Sequence, residues 1–291
     1  MTKNYLTGPN ARRAVLIAAI AAISLPTFAE GRGYFARKVD QVLQSIVQNP
    51  APLVPGRDGP LALPAGEGFL GCPHLFPNAV PFDVRVVPSQ DGAIALCSNN
   101  FAVLTSTTSK APIFVIERLS SALLNDAKDE ERTNNFYADP RLPRGARAEL
   151  SDYRGSGLDR GHLANAADQP DQQSMIQSFA LSNMVPQDPY SNRKGAWFKA
   201  EMDTRKYARR ARGDVFVYSG PLFRGDIRTI GANRVWVPSH LFKLVYDASS
   251  GRAWAHIVEN SADGRLGQPM GYPEFVQQTG LDLLPRTVAL Y

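Results

Sequence analysis

The stretch GSGLDRGHL (residues 155–163) places His162 directly after a glycine-rich, charged run. The chain of 291 residues contains four histidines, so one in this setting is a candidate for a chemical role. Gly155 and Gly157 permit a sharp entry before the histidine, and Gly161 leaves its backbone room. An unperturbed imidazole has a pKa near 6.5, so we expect such a base to lose activity below about pH 6.

Residues downstream of His162 add oxygen atoms that suit a hard cation. Asn192 follows FALSNMVPQ and precedes a helical pattern that contains Glu201. Amide and carboxylate oxygens suit Mg²⁺, which keeps several waters and takes few protein ligands. Arg160, close to the histidine in sequence, can hold phosphate oxygens in a planar fork. A base, a metal ligand and an arginine are the parts needed to hydrolyse a phosphodiester bond.

Each of these residues also has a simpler interpretation. A single histidine is more often structural than catalytic, and an asparagine before a helix is most often an N-cap. Glu201 could pair with Arg205 four residues later on the same helix. His240, in VPSHLFKLVYD, is assigned a structural role because no neighbouring residue type suggests proton transfer.

Composition limits the class of protein. Hydrophobic residues make up 44% of the chain, which argues against disorder of the whole. The net charge of +5 and the isoelectric point of about 9.2 favour polyanionic partners such as nucleic acid without proving them. No internal repeat is present.

The first 29 residues have the pattern of an export signal. Lys3, Arg12 and Arg13 precede the apolar run AVLIAAIAAISL (residues 14–25), and TFA follows it. The run is shorter than the roughly 20 residues that a membrane-spanning helix needs. We therefore expect an exported protein, periplasmic or secreted, without stable membrane association once the signal is removed.

The remaining chain divides into two parts. Residues 30–71 contain an amphipathic helical pattern (residues 34–48) and a linker rich in proline and glycine. Residues 72–291 would form the globular domain. Its two cysteines, Cys72 and Cys97, are the only ones in the chain, and we expect them to form a disulfide in an oxidising compartment.

Short β-rich runs and few helical patterns alternate irregularly in the domain, which favours an α+β fold over a doubly wound parallel sheet. The predicted strands are residues 101–109, 111–119, 215–220, 241–247 and 253–259. The predicted helices are residues 193–212 and 273–280.

Several segments, in order, resemble the DNA/RNA non-specific endonucleases of the ββα-metal, or His-Me finger, class, including its endonuclease G-like members. They are DYRGSGLDRGHLANAAD, FALSNMVPQ, GAWFKAE and VYSGPLF. The resemblance extends from about Phe101 to the C-terminus. It implies an α+β nuclease fold with a central antiparallel or mixed sheet flanked by helices. In that fold a strand bearing His162, a second strand through FALSN and a helix opening near Asn192 surround one metal ion.

The resemblance also implies roles for individual residues. His162 would be the general base, Asn192 would bind Mg²⁺ directly, and Glu201 would hold water on the metal; Mn²⁺ is an alternative ion. Arg132 and Arg160 would bind and neutralise phosphate. The supporting residues would be Asp159 and Asn183. The substrates would be DNA and RNA, recognised through phosphate contacts and cleaved to 5′-phosphate products.

Two points are left open. Asn192 and Trp197 are five positions apart, one more than is usual in related sequences. We expect the loop before the helix to absorb the extra residue; otherwise Arg193 would point into the site and repel a cation. The alternative function is an inactive module for nucleic-acid binding or uptake on the same fold. Nothing in the sequence indicates an oligomeric state.

Overall fold

The predicted strands form the middle of a seven-stranded sheet in the computed structural model, which describes residues 68–86, 92–128, 130 and 132–288. In chain order, the strands of the described residues, both inside and outside this sheet, are β1 (Ala93–Cys97), β2 (Phe101–Ser106), β3 (Pro112–Leu119), β4 (Asp159–His162), β5 (Met184–Gln187), β6 (Val215–Leu222), β7 (Arg228–Ile230), β8 (Val235–Val237), β9 (His240–Asp247), β10 (Arg252–Glu259) and β11 (Met270–Gly271). The sheet has the order β1-β2-β3-β6-β9-β10-β11, and its neighbours pair antiparallel.

The α-helices of the described residues lie outside this sheet. They are α1 (Ser121–Asp126), α2 (Leu150–Tyr153), α3 (Gln172–Ser178), α4 (Pro189–Arg193), α5 (Ala196–Ala208) and α6 (Tyr272–Thr279). The predicted C-terminal helix is confirmed as α6, which ends on Gly280 in the left-handed conformation at φ +71°. The predicted helix over residues 193–212 is shorter at both ends and corresponds to α5. None of these helices is long and apolar enough to cross a membrane.

Alternation along the central strands gives the sheet two different faces. On β3, Phe114 and Ile116 join one cluster, whereas Val115 joins another on the opposite side. The first cluster is rich in aromatic residues, and α6 contributes Phe275 to it. The second includes Trp197 of α5, which is fully buried. The sheet is therefore covered on both sides, and α5 packs on the second side.

A small unit on that second side carries the residues singled out in the sequence. Strands β4 and β5 pair antiparallel, with His162 opposite Met184 and Asp159 opposite Gln187. Helices α4 and α5 follow β5 directly. Two strands followed by helix give the ββα arrangement that the resemblance implies.

One element of that unit was predicted wrongly. The second strand does not run through FALSN (residues 179–183) but through the following four residues, Met184–Gln187. FALSN instead ends in a 3-10 turn over Leu181–Asn183. The Asn183 side chain explains the turn: its amide bonds the backbone N–H and C=O of Ala164, and the C=O of Ser178, at 2.8–2.9 Å. A side chain that bonds backbone in this way competes with strand pairing.

The predicted disulfide is present. Cys72 and Cys97 are bonded, and Cys72 belongs to the aromatic-rich cluster. Phe69 packs in the same cluster, 4.9 Å from the ring of Phe76, although the sequence interpretation placed it in the linker. The proposed export signal, the helical pattern at residues 34–48 and the rest of the linker up to residue 67 lie outside the described residues.

Candidate active site

The entry to β4 depends on glycine. Gly155 and Gly157 have φ values of +71° and +75°, which side-chain-bearing residues rarely adopt. At Gly161 a Cβ atom would lie 1.8 Å from the Gln187 side-chain oxygen, so a larger residue would push β4 and β5 apart. The run GSGLDRGH thus turns the chain sharply and sets His162 at the end of a tightly paired strand.

His162 is a buried histidine in an aromatic setting. It is 8% exposed, and the rings of Phe136 and Phe179 lie 5.5 and 4.9 Å from its own. Its Nε2 has no hydrogen-bond partner among the described residues. A buried polar atom without a partner is rare in folded proteins and is often found at a functional site. The simpler interpretation of a hydrogen-bonded structural histidine does not account for this atom.

The protonation of His162 differs from the sequence-based expectation. Burial, together with the nearby charge of Arg132, lowers its pKa to about 3. The imidazole is therefore neutral throughout the physiological range. The expected loss of the base below about pH 6 was wrong, because that expectation assumed an exposed imidazole with an ordinary pKa.

Asn192 reaches β4 through Asp159. Its amide Nδ2 donates to Asp159 Oδ2 at 2.9 Å, which leaves Oδ1 as the atom able to bind a cation. Asp159 also holds the Arg193 guanidinium, with contacts of 2.8 and 2.5 Å. The positive charge of Arg193 is thus neutralised by the Asp159 carboxylate.

The extra residue before Trp197 lies where two helices meet. Asn192 belongs to the short α4, and α5 begins at Ala196 after Lys194 and Gly195. Gly195 is tightly enclosed, since a Cβ atom there would lie 2.9 Å from the Ser191 Cα atom. Asn192 therefore lies in a short helix and not in the loop that the sequence predicts, and because Lys194 and Gly195 separate α4 from α5, the register of α5 does not determine its position.

The arginines around the pocket fall into two groups. Arg193 and Arg205 form ion pairs, with Asp159 and Asp168 respectively. Arg132 and Arg160 form no ion pair with any described carboxylate. They lie instead over aromatic rings, with the Arg160 Cζ 4.2 Å from the Phe136 centroid and the Arg132 Cζ 5.6 Å from that of Phe179.

Glu201 projects from α5 and is 7% exposed. Burial raises its pKa to about 7, while the charge of Lys243 and a hydrogen bond from Asn165 act in the opposite direction. The alternative pairing with Arg205 is not what fixes it, because the Arg205 guanidinium bonds both oxygens of Asp168. A bound cation would favour the ionised form of this carboxyl group.

Behind Glu201, the strands carry buried charges that sequence reasoning did not single out. Lys243 of β9 is 2% exposed, donates to Ser219 Oγ at 2.7 Å and lies 4.7 Å from the Trp197 ring. Glu117 of β3 is also 2% exposed. Burial raises the pKa of Glu117 well above its usual range, and the carboxylates of Asp168 and Glu201 act in the same direction. Glu201 thus stands over a buried polar layer of the sheet.

One open pocket of about 470 Å³ brings most of the predicted site residues together. They are Arg132, Asp159, Arg160, His162, Asn192 and Glu201. Asn183 is not among its lining residues and instead fixes the end of β4, as described above. His240 lies outside this pocket, with its Nδ1 3.1 Å from Ser239 Oγ.

The sequence interpretation also missed several lining residues. They are Asn134, Phe136, Asn165, Ala167, Arg193, Phe198 and Arg205. The sequence suggests Arg193 and Arg205 only in the alternative interpretations of Asn192 and Glu201. Most of the others come from loops and lack a residue pattern that would have identified them from the chain alone.

The donor set fits a hydrated divalent cation. The described residues contain no group of three or more His, Cys, Asp and Glu able to enclose a metal. An amide oxygen of Asn192 and the carboxylate of Glu201 beside an open pocket suit Mg²⁺, which keeps much of its water. Zinc, which takes three or four nitrogen and sulfur ligands, does not fit this set.

The antiparallel pair of β4 and β5, the helices after it and the pocket beside them have the arrangement of the ββα-metal, or His-Me finger, nuclease fold. The chain matches the family model described as DNA/RNA non-specific endonuclease over residues 81–282. It belongs to the DNA/RNA non-specific endonuclease family.

Individual relatives agree with this assignment. The chain is 37% identical over 166 residues to the human protein named "Nuclease EXOG, mitochondrial", which covers 53% of this chain and 44% of that protein. It is 37% identical over 155 residues to human "Endonuclease G, mitochondrial", covering 49% and 51%. The chain spans about half the length of the curated relatives it matches.

The fold also matches a solved structure. One chain of the crystal structure of the EndoG/EndoGI complex aligns with this chain with a TM-score of 0.60 at 25% identity. The alignment covers 67% of this chain and 88% of that one.

Proposed function

We propose that this protein is a metal-dependent endonuclease that hydrolyses phosphodiester bonds of DNA and RNA without regard to the sugar. The observation that carries the proposal is the pairing of two features in one pocket. His162 is a neutral imidazole with an unpartnered nitrogen, and Arg132 and Arg160 have no carboxylate partner among the described residues. A base and uncompensated positive charge are what phosphodiester hydrolysis requires.

Each residue has a distinct part in the proposed reaction. Arg132 and Arg160 bind the oxygens of the scissile phosphate and counter the negative charge that grows as the phosphorus is attacked. The His162 imidazole accepts the proton of the attacking water. The 3′ oxygen leaves, so the phosphate stays on the 5′ end of the product.

Asn192 and Glu201 would hold the cation, Asn192 through its amide oxygen and Glu201 by accepting hydrogen bonds from surrounding water. When bound, Mg²⁺ supplies Lewis-acid stabilisation of the phosphate and the leaving oxygen, and Mn²⁺ is an alternative ion. Asp159 keeps Asn192 in place and neutralises Arg193. Asn183 supports the end of β4.

The residues of the pocket also support cleavage of nucleic acid without preference for its sequence. The residues assigned to the reaction contact phosphate, water or the cation, and none is assigned to a base edge or a 2′-hydroxyl. Phosphate contacts position a nucleic acid without reporting its sequence. Export to the periplasm or the medium is part of the proposal and rests on the pattern of residues 1–29 and on the disulfide, which suits an oxidising compartment.

A supercoiled-plasmid nicking assay with Mg²⁺ and with EDTA tests this function. We expect nicking and then linear product with Mg²⁺ only, and product ends that DNA ligase can rejoin, since ligation requires a 5′-phosphate. RNA of similar length should be degraded under the same conditions. Asn192→Ala should require much more Mg²⁺, whereas Arg193→Ala should not. Binding of nucleic acid without any cleavage would instead establish the inactive binding module.

A further inference from the structure

The outward side of α5 carries cations that the pocket does not use. Lys199 and Lys206 are exposed on the helix, as are Arg209 and Arg210, which follow it directly. Phe198, at the pocket end, is 41% exposed, unusual for a large aromatic side chain. We refer to these five residues, Phe198, Lys199, Lys206, Arg209 and Arg210, as the α5 ridge.

The α5 ridge begins at the pocket and leads away from it. Phe198 and Arg205 both line the pocket, and Arg209 follows Arg205 by four residues on the same side of the helix. Lys199 and Lys206 are seven residues apart and occupy the adjacent row. At a rise of 1.5 Å per residue, the distance from Phe198 to Arg209 along the axis is about 16 Å. This length corresponds to two or three backbone phosphates beyond the pocket.

The charge of the ridge is little compensated within the described residues. Its one ion pair there joins Lys206 to Asp203 at 3.7 Å, with both side chains more than half exposed. The Nε of Arg210 donates to the Lys206 carbonyl oxygen. In contrast, Arg205, which lines the pocket, is held by Asp168. The ridge therefore presents positive charge to solvent.

Helix stabilisation explains only part of this pattern. Cations in the last turn of a helix, such as Lys206, interact favourably with the helix dipole. Lys199 lies near the first turn, where a cation opposes the dipole, and no side-chain partner within the described residues compensates it. A role in binding an anionic partner accounts for the cations near both ends of α5.

We propose that the α5 ridge binds the nucleic-acid strand that flanks the scissile phosphate. The phosphates lie along Lys199, Lys206, Arg209 and Arg210, and the nucleotide leaving the pocket stacks its base on Phe198. Stacking on an aromatic ring tolerates every base, and lysine and arginine contacts to phosphate are independent of sequence. This inference rests on the proposed function, since it assigns the path of the same substrate.

The test compares two double variants with the same change in charge. Lys199→Gln/Arg209→Gln removes two ridge cations. Arg85→Gln/Arg286→Gln removes two exposed cations that are close in sequence to residues packed in the aromatic-rich cluster, on the other side of the sheet. Binding of a fluorescent 30-nucleotide single strand is measured by anisotropy in EDTA, from 50 to 200 mM salt. We expect the ridge variant to bind about tenfold more weakly at low salt and its salt slope to be shallower by about 1.4. The control variant should keep the unmodified slope.

Phe198 is tested separately. Phe198→Ala should weaken binding of the same strand at least about fivefold, whereas Phe198→Tyr, which keeps the ring, should not. Thermal unfolding of all variants checks that α5 is intact.

A folded ridge variant with the affinity and salt slope of the unmodified protein would overturn the inference. So would tight binding to vesicles of phosphatidylcholine and phosphatidylglycerol that is lost in the ridge variant while nucleic-acid binding is kept. Because EDTA prevents hydrolysis, these measurements do not depend on catalysis. Failure of the plasmid assay would count against the proposed function and leave the binding result interpretable.

Discussion

The two faces of the seven-stranded sheet differ sharply in chemistry. On the aromatic face, Phe114, Tyr218 and Phe242 pack with the disulfide-bonded segment and with α6. On the charged face, Glu117 and Lys243 come from the same strands but point the other way, beneath α5 and the pocket. Both faces are buried, yet one is apolar and the other carries ionisable groups.

The difference indicates where stability and chemistry lie. Burying aromatic side chains is the larger stabilising contribution in a core of this kind. Buried charges seldom add net stability, because desolvation offsets their mutual attraction. The ionisable groups on the charged face interact electrostatically with Glu201, which lines the pocket, and this connects them with the site. The aromatic face should govern folding, and the charged face should govern activity.

The largest effect on stability should come from the aromatic face. Phe114 is fully buried and contacts Phe69, Phe82 and Tyr218. Phe114→Ala should lower the free energy of unfolding by about 3–5 kcal/mol, because it leaves a cavity. Denaturant titration measures this change. The turnover number of the folded fraction should change little, and a large loss of turnover without loss of stability would break the proposed division between faces.

A comparably large effect, but on rate, should come from the pocket. Arg160→Ala removes a cation expected to act on the growing charge of the transition state, so turnover at saturating substrate should fall about 10²- to 10³-fold. The same measurement on Arg132→Ala is the companion test. Unfolding should be nearly unchanged, since neither side chain forms an ion pair with the described residues. If only the apparent affinity and its salt dependence change, the arginines are ordinary phosphate contacts.

Loss of the disulfide on the aromatic face should have a somewhat smaller effect on stability. Cys72 and Cys97 are 25 residues apart, and a loop of that size contributes roughly 3 kcal/mol. Reduction should lower the unfolding temperature, while single-turnover cleavage below that temperature continues at nearly the same rate. Equal loss of activity and stability on reduction would show that the two faces are not independent.

The smallest effect concerns the pH dependence of stability. His162 has a pKa of about 3 when folded, against about 6.5 when unfolded, so below pH 6.5 the unfolded chain binds a proton that the folded chain does not. Its contribution to stability is present above pH 6.5 and is lost progressively as the pH falls from 6.5 towards 3. Glu201, whose pKa is raised, has the opposite effect between about pH 4.5 and 7.

The two contributions are separated by comparison with His162→Gln in EDTA. The stability of the unmodified protein relative to the variant should decrease between pH 6 and 5, as measured by denaturant titration. A constant difference over that range would mean that the folded imidazole titrates like an exposed one.

The sequence predicted the strands well because their apolar residues alternate clearly, as in IFVIERL and LFKLVYD. From the resemblance of ordered motifs it predicted six of the residues that line the pocket, and it missed seven others. The same strands held a signal that was overlooked: Glu117 and Lys243 share a face with Val115 and Leu241 respectively, so alternation alone places both charges inside.

Other features could not be predicted from local pattern. The strand through FALSN was implied by the resemblance, whereas its turn depends on bonds from Asn183 to Ala164, nineteen residues away. The pairing of Arg205 with Asp168, rather than with Glu201 on the same helix, depends on a contact across 37 positions. The low pKa of His162 arises from burial between Phe136 and Phe179, which no spacing reveals.

His162 is proposed to act as the base of a phosphodiesterase centre on the charged face of the sheet. The most direct measurement is the single-turnover cleavage rate of His162→Ala with saturating Mg²⁺ and DNA, alongside its affinity for the same DNA in EDTA. We expect the rate of the folded variant to be at least about 10²- to 10⁴-fold lower, with its affinity for DNA nearly unchanged. Cleavage at close to the unmodified rate would contradict it.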